Sequence, residues 1–168
     1  MKNFDEFLKK LLNKPSKKTI LKINGKEKIV KAMVRLTSKN YLKDNGEYIK
    51  IIFTDGSFLL IISADKEIYY ADKIIGDVKT IKDEQIGRDK IIEYKNKKYK
   101  LGNKNDYQFV LELLVGSPLE IEGECRFSDY FPISGQKEFL SLGWLSMNGE
   151  RADINPMIIS IKEVEIVK

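Results

Sequence analysis

Hydrophobic positions in this chain change period once, near Pro15. Over NFDEFLKKLLNKP, Phe4, Phe7, Leu8, Leu11 and Leu12 recur at i, i+3, i+4, i+7 and i+8, the spacing of one helix face. Asn3 suits the N-cap, Asp5 and Glu6 the first turn, and Lys9 and Lys10 the last, before Pro15 stops the run. The pattern predicts an amphipathic α-helix over residues 1–14. A helix this short is unstable alone, so its apolar stripe must be buried on the domain or on a partner.

From residue 18 onward the period is that of strands. ILKINGKEKIV places Asn24-Gly25 between β-rich flanks, a strong hairpin signal. EYIKIIFTDGSFLLIISA predicts a second hairpin turning at Asp55-Gly56, with Ile49, Ile51 and Phe53 on one face of its first strand. Phe58 to Ile62 is apolar on both faces, which predicts a central strand. EIYYA continues the meander after a turn at Asp65-Lys66. IIEYKNKKYKLG predicts a hairpin turning near Asn96-Lys97. YQFVLELLVGSPLEIEGECRF predicts two long strands joined at Gly116-Ser117-Pro118. EFLSLGWLSMNGERADI holds a further strand and an Asn148-Gly149 turn, and Pro156 precedes a last strand, MIISIKEVEIV. Residues 72–88 are ambiguous. Ile74, Val78, Ile81 and Gln85 have helical spacing, whereas Gly76 and Gly87 favour a loop.

The fold class expected is mainly β: antiparallel hairpins in a barrel- or sandwich-like body, with one N-terminal amphipathic helix. A short hairpin followed by a long one occurs twice, as KINGKEKIV before EYIKIIFTDGSFLLII and as EYKNKKYKL before DYQFVLELLVGSPLEIEGE. This order predicts one domain over 18–168 built from two related β-units, about 18–88 and 89–168.

Composition narrows the chemistry. The 168 residues contain no histidine and one cysteine. A Ser-His-Asp triad, a Cys-His dyad, a histidine zinc site and thiolate metal centres are therefore excluded. No phosphate-binding glycine motif occurs. The expectation is no catalytic residue, no metal and no cofactor. An enzyme built on this chain would have to use Asp, Glu, Lys or Tyr. A lone cysteine cannot form an internal disulfide, which agrees with a cytoplasmic location. No apolar run reaches transmembrane length, and MKNFDEFLKK lacks the apolar core of a signal peptide.

EGECRFSDY, residues 122–130, gathers the cysteine with carboxylates, an arginine, a serine and a tyrosine. Strand alternation puts Glu120, Glu122, Glu124 and Arg126 on one face and Ile121, Cys125 and Phe127 on the other. Cys125 then reads as a small hydrophobe, away from the charge that would activate it. The glutamates lie along one strand and do not converge, so they read as cross-strand partners of lysines rather than as a cation site.

Net charge is +5 and uneven. Residues 1–50 carry fourteen Lys/Arg against five Asp/Glu, and residues 102–168 carry six against eleven. The basic front and the apolar stripe favour a non-catalytic binding or accessory module acting through protein contacts, near an anionic membrane surface in one version. Its contact residues would be Phe4, Phe7, Leu8, Leu11, Lys9 and Lys10. One alternative is a single-stranded nucleic-acid binder stacking bases on a tyrosine–lysine face of Tyr94, Lys95, Lys97, Lys98 and Tyr99. Tyr48, Tyr69, Tyr70, Lys50 and Lys73 would extend that face. Arginine, the preferred phosphate partner, accounts for only four of thirty cations, which weakens this alternative. Another alternative is a histidine-free enzyme or small-ligand binder, which requires a deep pocket with converging polar groups. Open strand edges would also allow a homodimer.

The stretches KINGKEKIV, YIKIIFTDGSFLLI, EYKNKKYKL, EIEGECRFSDY and EFLSLGWLS, covering most of residues 20–150, resemble an uncharacterised bacterial family, domain of unknown function 4178. The first unit lacks the tryptophans usual in that family, and Gly143 stands where a glutamate is usual. The resemblance implies a tandem β-unit fold and an accessory role, and it transfers no catalytic residue.

Overall fold

The computed structural model describes residues 3–42, 46–73, 78–121, 124–145 and 149–168. The chain is mainly β, as the alternating pattern requires. In order it forms α1 (Phe4–Leu11), β1 (Ile20–Ile23), β2 (Lys26–Ser38), α2 (Lys39–Leu42), β3 (Tyr48–Phe53), β4 (Phe58–Ile62) and β5 (Glu67–Ala71). Then follow β6 (Ile91–Tyr94), β7 (Lys97–Val115), β8 (Glu124–Pro132), β9 (Leu140–Leu145), β10 (Met157–Ile159) and β11 (Val164–Ile166).

A curled antiparallel sheet runs in the order β10-β5-β4-β3-β2-β7-β8-β9. The segment from Arg151 to Ile159 joins its two ends. Trp144 bridges to Arg151, Ser141 to Ile154 and Glu138 to Met157, while Ile159 continues into pairing with Ile68 of β5. The sheet therefore has an inside.

Alternation sorts the side chains into three apolar bodies. On β3, Ile49, Ile51 and Phe53 face outward into one cluster, whereas Tyr48 and Ile52 face the inside. β4 divides the same way, with Leu59 and Ile61 outside and Phe58 and Leu60 inside, so it is central and buried on both faces. The outer face of this half is covered by α1, β1 and β11, through Phe7, Leu11, Leu21, Ile23 and Val164. The outer face of β7–β9 is covered by the segment after residue 78, through Val78, Ile81, Ile86 and Ile92 against Tyr99, Tyr130 and Leu142.

Two turns follow from local chemistry. Asn24 and Gly25 both have left-handed backbone, with φ of 49° and 80°, the type I′ geometry that the twist of a tight hairpin needs. Lys95 and Asn96 do the same at 48° and 60°, so this hairpin turns one residue earlier than Asn96-Lys97.

Several expectations change. The helix is shorter than residues 1–14, because Leu12 already closes it as the C-cap. β7 is a single 19-residue strand, not the end of one hairpin and the start of another. Its first part pairs with β6 and β8 and its second with β2, so the two proposed units share it. Register shifts between Leu101 and Asp106 let it bend from one partner to the next. Residues Pro118–Ile121 form a 3-10 turn rather than a strand. The Glu120 carboxylate accepts the Ser117 N–H at 2.7 Å and pairs with Lys17, which fixes that turn. The expected row of glutamates on one strand is thereby lost, and Glu122 lies outside the described residues. The last strand is split into β10 and β11 by a 3-10 turn at Ile161–Glu163, where Ser160 caps the turn. In the ambiguous segment, Asp83–Gln85 is a 3-10 turn; Ile74 and Gly76 lie outside the described residues, as does Asn148 of the expected turn.

Candidate functional site

Inward-facing positions of the curled sheet line a partly open cavity of about 240 Å³. β8 supplies Phe127, Asp129 and Phe131, every second residue of one strand. The intervening Ser128 and Tyr130 face the opposite side, where the Asn105 and Gly87 N–H groups donate to their hydroxyls. Across the cavity stand Tyr48 and Lys50 of β3, Leu60 of β4 and Tyr69 of β5.

Aromatic rings form much of the wall. Tyr69 meets Phe139 edge-on at 5.1 Å between centroids, and Phe131 lies 6.3 Å from Phe139. Tyr41, on α2, meets Tyr48 at 6.2 Å. The polar ends of these rings are held. The Tyr48 hydroxyl donates to Gln108 Oε1 at 3.0 Å and the Tyr69 hydroxyl to Glu67 Oε2 at 2.7 Å, while Lys137 pairs with the other oxygen of Glu67. Burial and the Glu67 contact keep the Tyr69 phenol protonated far above its ordinary range. Lys50 is buried in the wall, with Nζ 4.8 Å from the centroid of the Phe58 ring.

Asp129 is the exceptional group. It is 9% exposed, and Asn103 Nδ2 donates to its Oδ2 at 2.9 Å. Its Oδ1 is buried without a hydrogen-bond partner among the described residues. Burial pushes its carboxyl up to about 6, against the favourable hydrogen bonds of Asn103 and Ser141, and the Asp106 charge adds to the rise. The neighbouring Asp106, fully buried, is better served: the Asn40 and Tyr107 N–H groups donate to its Oδ1 and Asn103 to its Oδ2.

The residues expected to contact a partner lie elsewhere. Phe4, Phe7 and Leu11 are 8%, 7% and 2% exposed, and Leu8 packs beside them, so the stripe belongs to the core. Lys9 and Lys10 are exposed on the opposite face. Phe4, Phe7, Leu8 and Leu11 are thus used by the fold itself, while Leu12 at the end of the stripe is exposed.

The expected nucleic-acid face does not assemble either. Tyr99 is 2% exposed and donates to the buried carboxylate of Glu138, while Tyr94 packs partly into the same cluster. Lys97 pairs with Glu138; Lys95 lies over the Tyr94 ring, and Lys98 is exposed. Tyr48, Tyr69 and Lys50, read as extensions of that face, line the inside of the sheet instead. Cys125 is half-buried, on the strand whose working residues are Phe127 and Asp129. The signal for the cavity was present in RFSDYF as aromatic, acid and aromatic at alternate positions.

Among the described residues, no group of three or more metal-ligating side chains is placed to hold an ion, and no helix is long and apolar enough to cross a membrane. Comparisons with protein-family models, curated proteins and solved structures found no match to this chain.

Proposed function

We propose that this protein is a non-catalytic module that binds a small organic molecule inside its curled sheet. The observation that carries this reading is the partly open cavity, in which aromatic and aliphatic side chains stand beside polar groups, Asp129, Gln108 and Lys50 among them. Such concave, mostly apolar sites with sparse polar groups are the usual form of a small-molecule site. The accessory role implied by the resemblance to domain of unknown function 4178 fits this reading, with a ligand in place of a helical docking stripe.

A fragment screen followed by protein NMR tests the proposal. Compounds should shift resonances of Leu60, Tyr69 and Phe127. Leu60→Trp and Ile62→Phe, which fill the cavity from one wall, should abolish those shifts. Failure of every compact apolar fragment to reach these residues would overturn the reading.

A second reading, contact with a protein, has a different surface from the one expected. Phe109, Val110 and Leu111 of β7 are each about half exposed, and among the described residues the pairing of β7 with β8 extends to Tyr107. Exposed apolar side chains clustered in this way mark association surfaces. Sedimentation of wild type and Leu111→Lys tests the simplest form, a homodimer: only the wild type should show a concentration-dependent mass.

A further inference from the structure

The chemistry of the cavity narrows the class of ligand, on the premise that it binds a small molecule. Size sets the first limit. An engineered dry cavity of about 150 Å³ accepts benzene, so a ligand of about ten non-hydrogen atoms suits the present volume. The rings and Leu60 and Ile154 on its wall suit an apolar body of that size.

Charge sets the second limit. Asp129 stands on the wall of the cavity, and its Oδ1 is a buried acceptor without a hydrogen-bond partner among the described residues, which a ligand reaches once the carboxyl turns toward the cavity. A buried polar atom left unsatisfied is costly, and a ligand that supplies its hydrogen bond recovers that cost. The acceptor is a carboxylate, and more carboxylates surround it. Burial, followed by the charges of Asp129, Asp65, Asp106 and Glu67, raises the pKa of the Tyr41 phenol beside the cavity. The cations that face the cavity are Lys50 and Lys137. Lys137 is paired with Glu67, and Lys50 rests over the Phe58 ring. An anion placed at Asp129 would meet Asp129 and Asp106 together, whereas an ammonium would pair with the Asp129 carboxylate and lie among aromatic rings, which tolerate a cation.

We propose that the cavity selects a compact, single-ring-sized amine in its protonated form, with its ammonium donating to the Asp129 carboxylate and its apolar body against Phe127, Phe139, Tyr69 and Leu60. Asp129 acts as the specificity group, and the rings supply affinity without regard to charge.

The test compares three probes with one body: 2-phenylethylamine, 2-phenylethanol and phenylacetate. Binding to the intact protein is measured near neutral pH by calorimetry and by NMR shifts at Phe127 and Tyr69. The amine is expected to bind at least about tenfold tighter than the alcohol, as a charged hydrogen bond implies, with the acid weakest. Asp129→Asn, nearly the same shape, should bring amine and alcohol within about twofold of each other. Equal or weaker binding of the amine by wild type would overturn the inference and leave the small-molecule reading standing. The same holds if none of the three binds while other compact fragments do. If no fragment reaches the cavity, both fall. The wild-type comparison decides the matter even where Asp129→Asn fails to fold.

Discussion

Asp106 and Asp129 are held by one amide nitrogen: Asn103 Nδ2 donates to Oδ2 of each, at 2.9 Å in both cases. Two carboxylates on adjacent strands thus share a single side-chain donor. Asp106 gains two backbone N–H groups in addition, and Asp129 does not. Burial, with the Asp106 charge added, raises the Asp129 carboxyl.

That asymmetry predicts a pH dependence. Asp129 titrates at about 6 in the fold, against 3.8 for an ordinary aspartate. The folded state therefore holds the proton more tightly than the unfolded chain. Its contribution to stability is complete below the ordinary value and is lost as pH rises through about 6. Two pH units correspond to about 3 kcal/mol. Asp55, lowered to about 2 by its contacts with Lys28 and Ser57, acts at more acid pH and does not overlap this window. Burial also raises Asp153, which adds a slope of the same sign, so Asp129→Asn is expected to reduce, not remove, the fall of the urea midpoint with pH between about 4 and 7. An unchanged slope in that interval would contradict the assignment.

Leu11 is 2% exposed at the end of the α1 stripe. Leu11→Ala should cost about 2–5 kcal/mol, the range for a buried leucine, and Phe7→Ser combined with Leu11→Ser should unfold the domain. Urea denaturation followed by circular dichroism reads both. A double variant as stable as wild type would show that the stripe is not core.

Gly143 of β9 lies against β8 so closely that an added Cβ would stand 2.6 Å from the Arg126 carbonyl oxygen and 2.8 Å from Phe127 Cβ. Gly143→Ala must push two paired strands apart, at a cost of about 1–3 kcal/mol. It should also move Phe127 and weaken any cavity ligand. Thermal melting and NMR shifts of Phe127 check the two effects separately.

Asp153 is fully buried and its Oδ2 accepts from the Val78 N–H at 2.7 Å and from Arg151 at 2.6 Å. Arg151 in turn donates to the Ile81 carbonyl. This pair pins the covering segment to the closing strand. Asp153→Ala should destabilise by about 3–5 kcal/mol, because the buried Arg151 loses its buried carboxylate and keeps the exposed Asp83, and the Val78 N–H loses its acceptor. Hydrogen exchange at the Val78 and Ile81 amides should rise ahead of that in β3 and β4.

Much of this architecture was legible because it rests on short-range rules. The helical spacing of Phe4, Phe7 and Leu11, the Asn24-Gly25 and Asp55-Gly56 turns and the two-faced apolar run of β4 each follow from a few neighbouring residues. β7 was not legible. Its middle, LGNKND, is polar and breaks the alternation, and it is held by partners distant in sequence, the pairing of Asn103 and Asp106 with β8 and the bond of the Asn105 N–H to Ser128 among them. The cavity was hidden for a different reason. Alternation shows that Tyr48 and Lys50 share a face opposite Ile49 and Ile51, but not whether that face meets water or the far wall of a curled sheet. Tyr99 misled in the same way, because the burial of its ring depends on Glu138, about forty residues away in sequence.

The pairing of β1 with β11, Leu21 against Ile166 and Ile23 against Val164, bears on how the chain is made. During synthesis β1 emerges early and can fold at once against β2 through its tight hairpin, yet its other edge must wait until β11 has left the ribosome. Until then the backbone groups of β1 on that side have no strand to bind, and Leu21 and Ile23 lack Val164 as cover. Closing so long a loop is slow relative to forming a hairpin. The nascent chain therefore passes through an interval with an open apolar edge, the state in which a chaperone would find it and in which neighbouring copies on one message could tangle.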